Sequence, residues 1–250
     1  VDFMRVLVPM AGDDTTPEGE QVNIYGNHVG SWNFAATAYL NRWKVKIYYE
    51  HYFDDHSQMF FQYGRWKDGH IGLEITFPKN RFIDTFVYEG LGTKDQTGPM
   101  LYDSFWGKFE EQISAKDNYY NHYLYQGWQH WGMGIGNPLL PGPIYNKNGQ
   151  ITFISNRVLA HHIGFCGSPC QSLSYRILLS YSRHWGTYDN PLNEIKKQFN
   201  SLFEVTYAPQ QLKGWSFTVS GAMDRGNLLG NNYGGMLVIR KQGIIKSGNK

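Results

Sequence analysis

The sequence predicts an all-β fold, a transmembrane antiparallel up-and-down β-barrel with about ten strands in this chain. Three observations predict it. Apolar and polar residues alternate with a period of two in segment after segment, which gives each strand one greasy and one wet face. The links between segments alternate between short ones at one rim and long ones at the other, and the segments run to about 10 residues, the length of a tilted bilayer-crossing strand. No window of the 250 residues approaches the roughly 18 apolar residues of a membrane helix, so a crossing is made by strands.

Residues 2–8 read as the end of a strand, with no initiator Met or leader ahead of it. An exported protein carries a targeting segment, so upstream material is expected. Segment 30–40 sets Trp32, Phe34, Ala36, Ala38 and Leu40 against Ser31, Asn33, Thr37 and Tyr39. Asn41-Arg42 then reverses the chain. Segment 43–53 returns with Trp43, Val45, Ile47, Tyr49 and Phe53 opposed to Lys44, Lys46, Tyr48, Glu50 and Tyr52, so its full charges share the polar face. Segment 69–77 follows with Ile71, Leu73, Ile75 and Phe77 against His70, Glu74 and Thr76. Segment 82–91 reads with either face outward, because Asp84 and Glu89 fall in opposite sets; 157–165 and 236–239 share the ambiguity.

The clearest strand is 172–185, with Leu173, Tyr175, Ile177, Leu179, Tyr181 and Trp185 against Ser174, Arg176, Ser180, Ser182 and His184. Segments 199–207, with Glu204 and Thr206 on the polar side, and 215–219, with Ser216 and Thr218, repeat the pattern. Short links are expected at 41–42, 78–81, 166–171 and 208–214, and long loops at 9–28, 54–68, 93–149, 186–197 and 225–234. The chain is read as one unit, 1–250, with 93–149 as a long extracellular loop.

Composition agrees with a membrane-facing barrel. Charged residues make up 18% and aromatics 16%, with Tyr 18, Trp 8 and Gly 28; aromatic rings favour bilayer interfaces and Gly suits turns and crowded interiors. The formal net charge of +2 is spread over mixed basic and acidic residues, which argues against nucleic acid as a partner. The tail, with Arg240, Lys241, Lys246 and Lys250, reads as a solvated terminus. Cys166 and Cys170 lie in Cys-Gly-Ser-Pro-Cys within an expected tight turn, as a staple or as two idle thiols. Redox catalysis normally uses two intervening residues beside a βαβ unit.

Several phrases are shared with a known family: Asn118-Tyr-Tyr-Asn-His122, Gly127-Trp-Gln-His-Trp-Gly-Met-Gly-Ile-Gly-Asn137, Pro143-Ile-Tyr-Asn146, Ser155-Asn-Arg-Val158, Ala160-His-His162, Trp185-Gly-Thr-Tyr-Asp189, Leu212-Lys-Gly-Trp215, Ala222-Met-Asp-Arg-Gly226 and Gly230-Asn-Asn232. With these the chain, from about Asn23 to Gly243, resembles the capsule-assembly outer-membrane family of the Wzi type. The resemblance implies a Gram-negative outer-membrane barrel that holds or organises capsular polysaccharide at the cell surface, lectin-like and without catalysis. It also implies a longer protein, of which this chain is the C-terminal part. Membrane lipid, capsular or surface polysaccharide and other outer-membrane chains are the partners it implies.

Loop 93–149 interleaves Tyr102, Phe105, Trp106, Tyr119, Tyr120, Tyr123, Tyr125, Trp128 and Trp131 with Asp103, Asp117, Asn118, Asn121, His122, Gln126 and Gln129. Carbohydrate sites use this mixture: ring faces cover the C–H patches of a sugar while amides and carboxylates take its hydroxyls. Tyr119, Tyr120, Asn121, His122, Trp128, Gln129 and Trp131 are the candidate binding residues, although the same rings also suit packing of the loop onto the barrel mouth. Gly132-Met-Gly-Ile-Gly136 resembles a phosphate loop only superficially, since the Pro-rich run 137–143 cannot open a helix N-terminus behind it.

Glu50, His51, Asp54, Asp55 and His56 are the densest set of metal-type donors, but Glu50 and His51 point to opposite faces, which leaves at most Asp54, Asp55 and His56 to converge on a loop, and no metal or other cofactor is assigned. His161 and His162 point to opposite faces, which disfavours both ligating one ion. There is no Gly-x-Ser-x-Gly elbow and no His-Glu-x-x-His. Lumen-facing Glu50, Glu74, Glu204, Lys44, Lys46 and Arg176 are expected to satisfy one another, so no catalytic residue is assigned. A porin or specific channel, and a barrel subunit of a larger outer-membrane complex, are the alternatives.

Overall fold

The computed structural model describes residues 14–15, 29–53, 68–80, 82–95, 118–122 and 127–243. The expected strand at 2–8, the loop donors Asp54, Asp55 and His56, and loop residues 96–117 and 123–126 lie outside the described residues. The described chain is all-β. Its strands are β1 (Gly30–Leu40), β2 (Trp43–Phe53), β3 (Gly69–Thr76), β4 (Thr85–Gly92), β5 (Gln129–His130), β6 (Met133–Gly134), β7 (Val158–Cys170), β8 (Leu173–Gly186), β9 (Pro191–Tyr207), β10 (Trp215–Gly226) and β11 (Asn232–Lys241). Nine of them form one sheet in the order β1-β2-β3-β4-β7-β8-β9-β10-β11, every neighbour antiparallel, while β5 and β6 form a separate small hairpin.

Sequence alternation and turn chemistry together set this register. The β1–β2 hairpin closes through the two residues Asn41-Arg42, with Asn41 at φ 58°, a conformation that Asn tolerates better than most residues. Register then runs flush from Leu40↔Trp43 to Gly30↔Phe53. In β4 the ambiguity resolves with Glu89 on the inner face, opposite His162 of β7. Asp84 sits in the preceding turn and accepts a hydrogen bond from the Ser168 hydroxyl at 2.8 Å.

Three expectations need correction. The Cys166–Cys170 stretch is not a turn: β7 continues through it, with a bulge between Gly167 and Cys170, and the reversal occurs at 171–172. The bulge takes up the irregular spacing that Gly-Ser-Pro imposes without ending the strand. Both cysteines are free thiols. The loops expected at 186–197 and 225–234 shrink to 187–190 and 227–231, because β9 and β10 extend beyond the span of their clearest alternation. Cross-strand hydrogen bonds to a neighbour sustain a strand where its own side-chain pattern fades. β1 and β11 do not pair, and the described sheet is open. Eight successive antiparallel pairings separate these two edges, which therefore run in the same direction.

The sheet is inverted relative to a solvated domain. Phe34, Leu40, Ile47, Phe203, Val219 and Leu237 are all exposed on the apolar face, whereas the polar face lines a concavity. The main buried apolar cluster sits at the loop end of that concavity: Leu91, Val158 and Ala160 from the sheet pack with Tyr120, Leu140 and Phe153 from the segment that folds over it.

Candidate functional site

A cavity of about 1050 Å³ lies between the inner face of the sheet and the folded part of the long loop. Its roof comes from Tyr119, Tyr120, Trp128 and 133–142; its wall comes from Glu50, His70, Glu89, His162, Ser180 and Asn200.

The roof is held by its own polar groups. Asn121 Nδ2 donates to the Phe153 carbonyl and Asn121 Oδ1 accepts from the Phe153 N–H, both at 2.8 Å. Buried Asn156 donates to the Tyr119 carbonyl at 2.9 Å. Thr93, at the end of β4, donates to the Asn156 carbonyl at 2.6 Å and accepts from the Val158 N–H at 3.0 Å. These bonds satisfy backbone groups of an irregular segment that burial would otherwise leave unpaired. The β5–β6 hairpin turns at Trp131-Gly132, with φ values of 54° and 78°, the left-handed pair of a tight two-residue hairpin turn. Thus the glycine-rich run is a turn and not a phosphate cradle.

The candidate residues divide accordingly. Tyr119 is buried and its hydroxyl donates to Asp68 at 3.2 Å. Tyr120 stacks on Trp128 with ring centres 5.8 Å apart, meets Phe153 edge-on at 5.0 Å, and accepts the Asn137 N–H at 2.9 Å. Tyr119, Tyr120 and Trp128 all present part of their surface to the cavity. Asn121 is committed to Phe153, and Gln129 accepts the Gly132 N–H at 2.7 Å to close the hairpin. His122 is half-buried in the same segment and does not line the cavity. Trp131 is 85% exposed at the hairpin tip and lies outside the cavity lining.

The wall is a part of the site that residue type alone did not single out. Sheet register aligns Tyr48, Gly72, Glu89, His162, Ser180, Asn200 and Asp224 in one row across seven strands. Gly72 has no side chain, so the Tyr48 ring lies flat across it and its hydroxyl donates to Glu89; a Cβ at Gly72 would stand 2.0 Å from that ring. Farther along, His162 Nδ1 is hydrogen-bonded to the Ser180 hydroxyl at 2.7 Å, and Asn200 donates to Asp224 at 2.7 Å. His70 lies between two carboxylates, 3.8 Å from Glu50 and 3.5 Å from Glu89. Ser31 donates to Glu50 at 2.6 Å.

Toward the turns the inner face changes character. The next row is apolar or small, with Val87, Gly164, Leu178, Leu202 and Ala222 in register. Ion pairs lie at this level and beyond it, Lys44–Glu74 and Arg176–Glu204, each at 3.2 Å. These are four of the six charges expected to satisfy one another; Glu50 instead accepts from Ser31, and Lys46 lies over the Tyr48 ring. Among the described residues no group of three His, Cys, Asp or Glu side chains is placed to hold a metal ion.

An apolar, aromatic roof above a wall of carboxylates, imidazoles, hydroxyls and amides suits a ligand that is both ring-shaped and rich in hydroxyls. Periodicity finds the wall's facing direction, and it places Glu50 on that face; only register brings the wall's members into one row. The chain matches no protein-family model, no curated protein and no solved structure.

Proposed function

We propose that this chain is part of an outer-membrane β-barrel that binds or anchors capsular or surface polysaccharide, lectin-like and without catalysis, as the Wzi-type resemblance implies. One observation carries the reading: the sheet turns its apolar side chains outward and encloses, on its polar face, a cavity of about 1050 Å³ under an aromatic roof. Exposed apolar surface of that extent is unusual for a solvated monomer and ordinary for a face in contact with lipid. Strand lengths of 8 to 17 residues in the main sheet accommodate a tilted crossing. Within the cavity, Tyr120 and Trp128 offer ring faces, while Glu50, Glu89 and Asn200 offer acceptors and donors for hydroxyls.

Membership in a larger assembly is favoured by the sheet edges. Open edges cannot face lipid, and because β1 and β11 run in the same direction, an all-antiparallel closure takes an odd number of further strands between them. Those strands belong to other parts of the protein or to another outer-membrane chain.

The test is binding of the detergent-purified full-length protein to the producing cell's own capsular polysaccharide, with planar-bilayer conductance recorded beside it. Binding with negligible conductance is expected. Conductance without binding replaces this reading with a channel whose aromatic segment acts as a gate.

A further inference from the structure

The outward face of the loop rim carries a group of side chains that the cavity does not use. Ser182, His184 and Gln198 line the cavity, so the strand period turns Arg183, Trp185 and Lys197 to the opposite face. There Arg183 of β8 stands in register with Lys197 of β9. Like charges placed directly across a strand pair repel each other and destabilise it. Lys94 and Arg183 both lie over the Trp185 ring, 5.1 and 5.0 Å from its centre. Arg157 stacks on Tyr188 at 4.1 Å and donates from Nε to the Lys94 carbonyl at 3.1 Å.

Four cations thus gather at the loop rim, Lys94 just after β4, Arg157 just before β7, Arg183 on β8 and Lys197 on β9, and among the described residues none of them forms an ion pair with a carboxylate. Glu194, on the same rim, is taken by Lys196 at 2.6 Å. Among the described residues, Arg183 Nε is buried without a hydrogen-bond partner. One register step toward the turns the outward pair is Tyr181↔Phe199, so the cations cap the apolar band at its loop end.

We infer that Lys94, Arg157, Arg183 and Lys197 form a docking surface for the phosphorylated headgroups of outer-leaflet glycolipid. This rests on the membrane-barrel reading. The guanidinium fork matches phosphate oxygens bidentately, and two opposed cations that repel each other are both satisfied by one phosphate between them. The patch faces away from the lumen and borders the apolar band, which is the depth of lipid headgroups and not of a soluble anion's pocket. Trp185 supplies the amphipathic ring favoured at that depth.

The full-length protein, purified in detergent, is titrated with fluorescent bisphosphorylated lipid A and with the same lipid after enzymatic dephosphorylation; flotation with phosphatidylcholine vesicles is measured in parallel. The wild type is expected to prefer the phosphorylated lipid by roughly tenfold or more. R183Q/K197Q loses that preference, and R183K/K197R, which retains both charges, keeps most of it. Equal affinity of the wild type for the two lipids overturns the inference, as does a preference undiminished in R183Q/K197Q. Full displacement by inorganic phosphate at matched concentration overturns it in favour of a free-anion site. Should R183Q/K197Q fail to fold, the wild-type comparison and R183K/K197R still decide. Flotation without phosphate preference defeats this inference alone, whereas failure to float defeats the membrane-barrel reading beneath it.

Discussion

The roof and the wall of the cavity use polar side chains in opposite ways. In the roof, Asn121, Asn156 and Gln129 bond to backbone groups, Asn121 and Asn156 also donate to the Asn118 side chain, and the rings of Tyr120, Trp128 and Phe153 pack on one another. In the wall, Glu50, Glu89 and His162 hydrogen-bond to side chains on other strands, His70 stands 3.8 and 3.5 Å from the Glu50 and Glu89 carboxylates, and all four still border open space. An irregular segment has to satisfy its own backbone, so its amides are used up; a strand's backbone is already satisfied by the ladder, which leaves its side chains for a ligand. Among the described residues of that mixture, Asn121 and Gln129 hold the segment in place, while Tyr119, Tyr120 and Trp128 both pack it and line the cavity.

Breaking the roof should give the largest effect. Phe153 is 1% exposed at the centre of the buried cluster, and Phe153→Ala is expected to cost about 3–5 kcal/mol of stability. Urea unfolding, with limited proteolysis of the 127–157 segment, checks it; a loss below about 1 kcal/mol would mean that the roof is not anchored there. Glu89→Gln sharpens the contrast from the wall side. It keeps the shape that receives the Tyr48 hydroxyl, so the fold should change by less than about 1 kcal/mol, while affinity for the polysaccharide falls roughly tenfold. Equilibrium binding beside a melting curve separates the two. Trp131→Ala should have the smallest effect, within about 0.5 kcal/mol in stability and with unchanged affinity. If that variant binds more weakly than Glu89→Gln does, the ligand sits on the outer tip of the hairpin and the wall is not the site.

The sequence made β1, β2, β3 and β8 legible because each carried its own alternation, whereas β4 and β7 read with either face outward. β1 and β2 match the expected bounds, and the inner and outer faces of β8 are the ones its residues predict. The ends of β9, β10 and β11 were not legible, since pairing with a neighbour carries those strands past their clearest alternation. The roof was visible as a composition but not as a division of labour: nothing in the order of residues tells that Asn121 faces Phe153, 32 positions away, or that Trp131 stands clear of Trp128's stack.

By itself the sequence determined the apolar face of the strands that alternate clearly, such as β1, β2, β3 and β8, and the reversal at Asn41-Arg42, because both depend on residues one to four positions apart. Only the tertiary structure decided that Glu89 meets His162, that Gly72 gives way to Tyr48, and that Arg183 stands against Lys197. Those juxtapositions are set by register between strands, and register is a property of two segments at once.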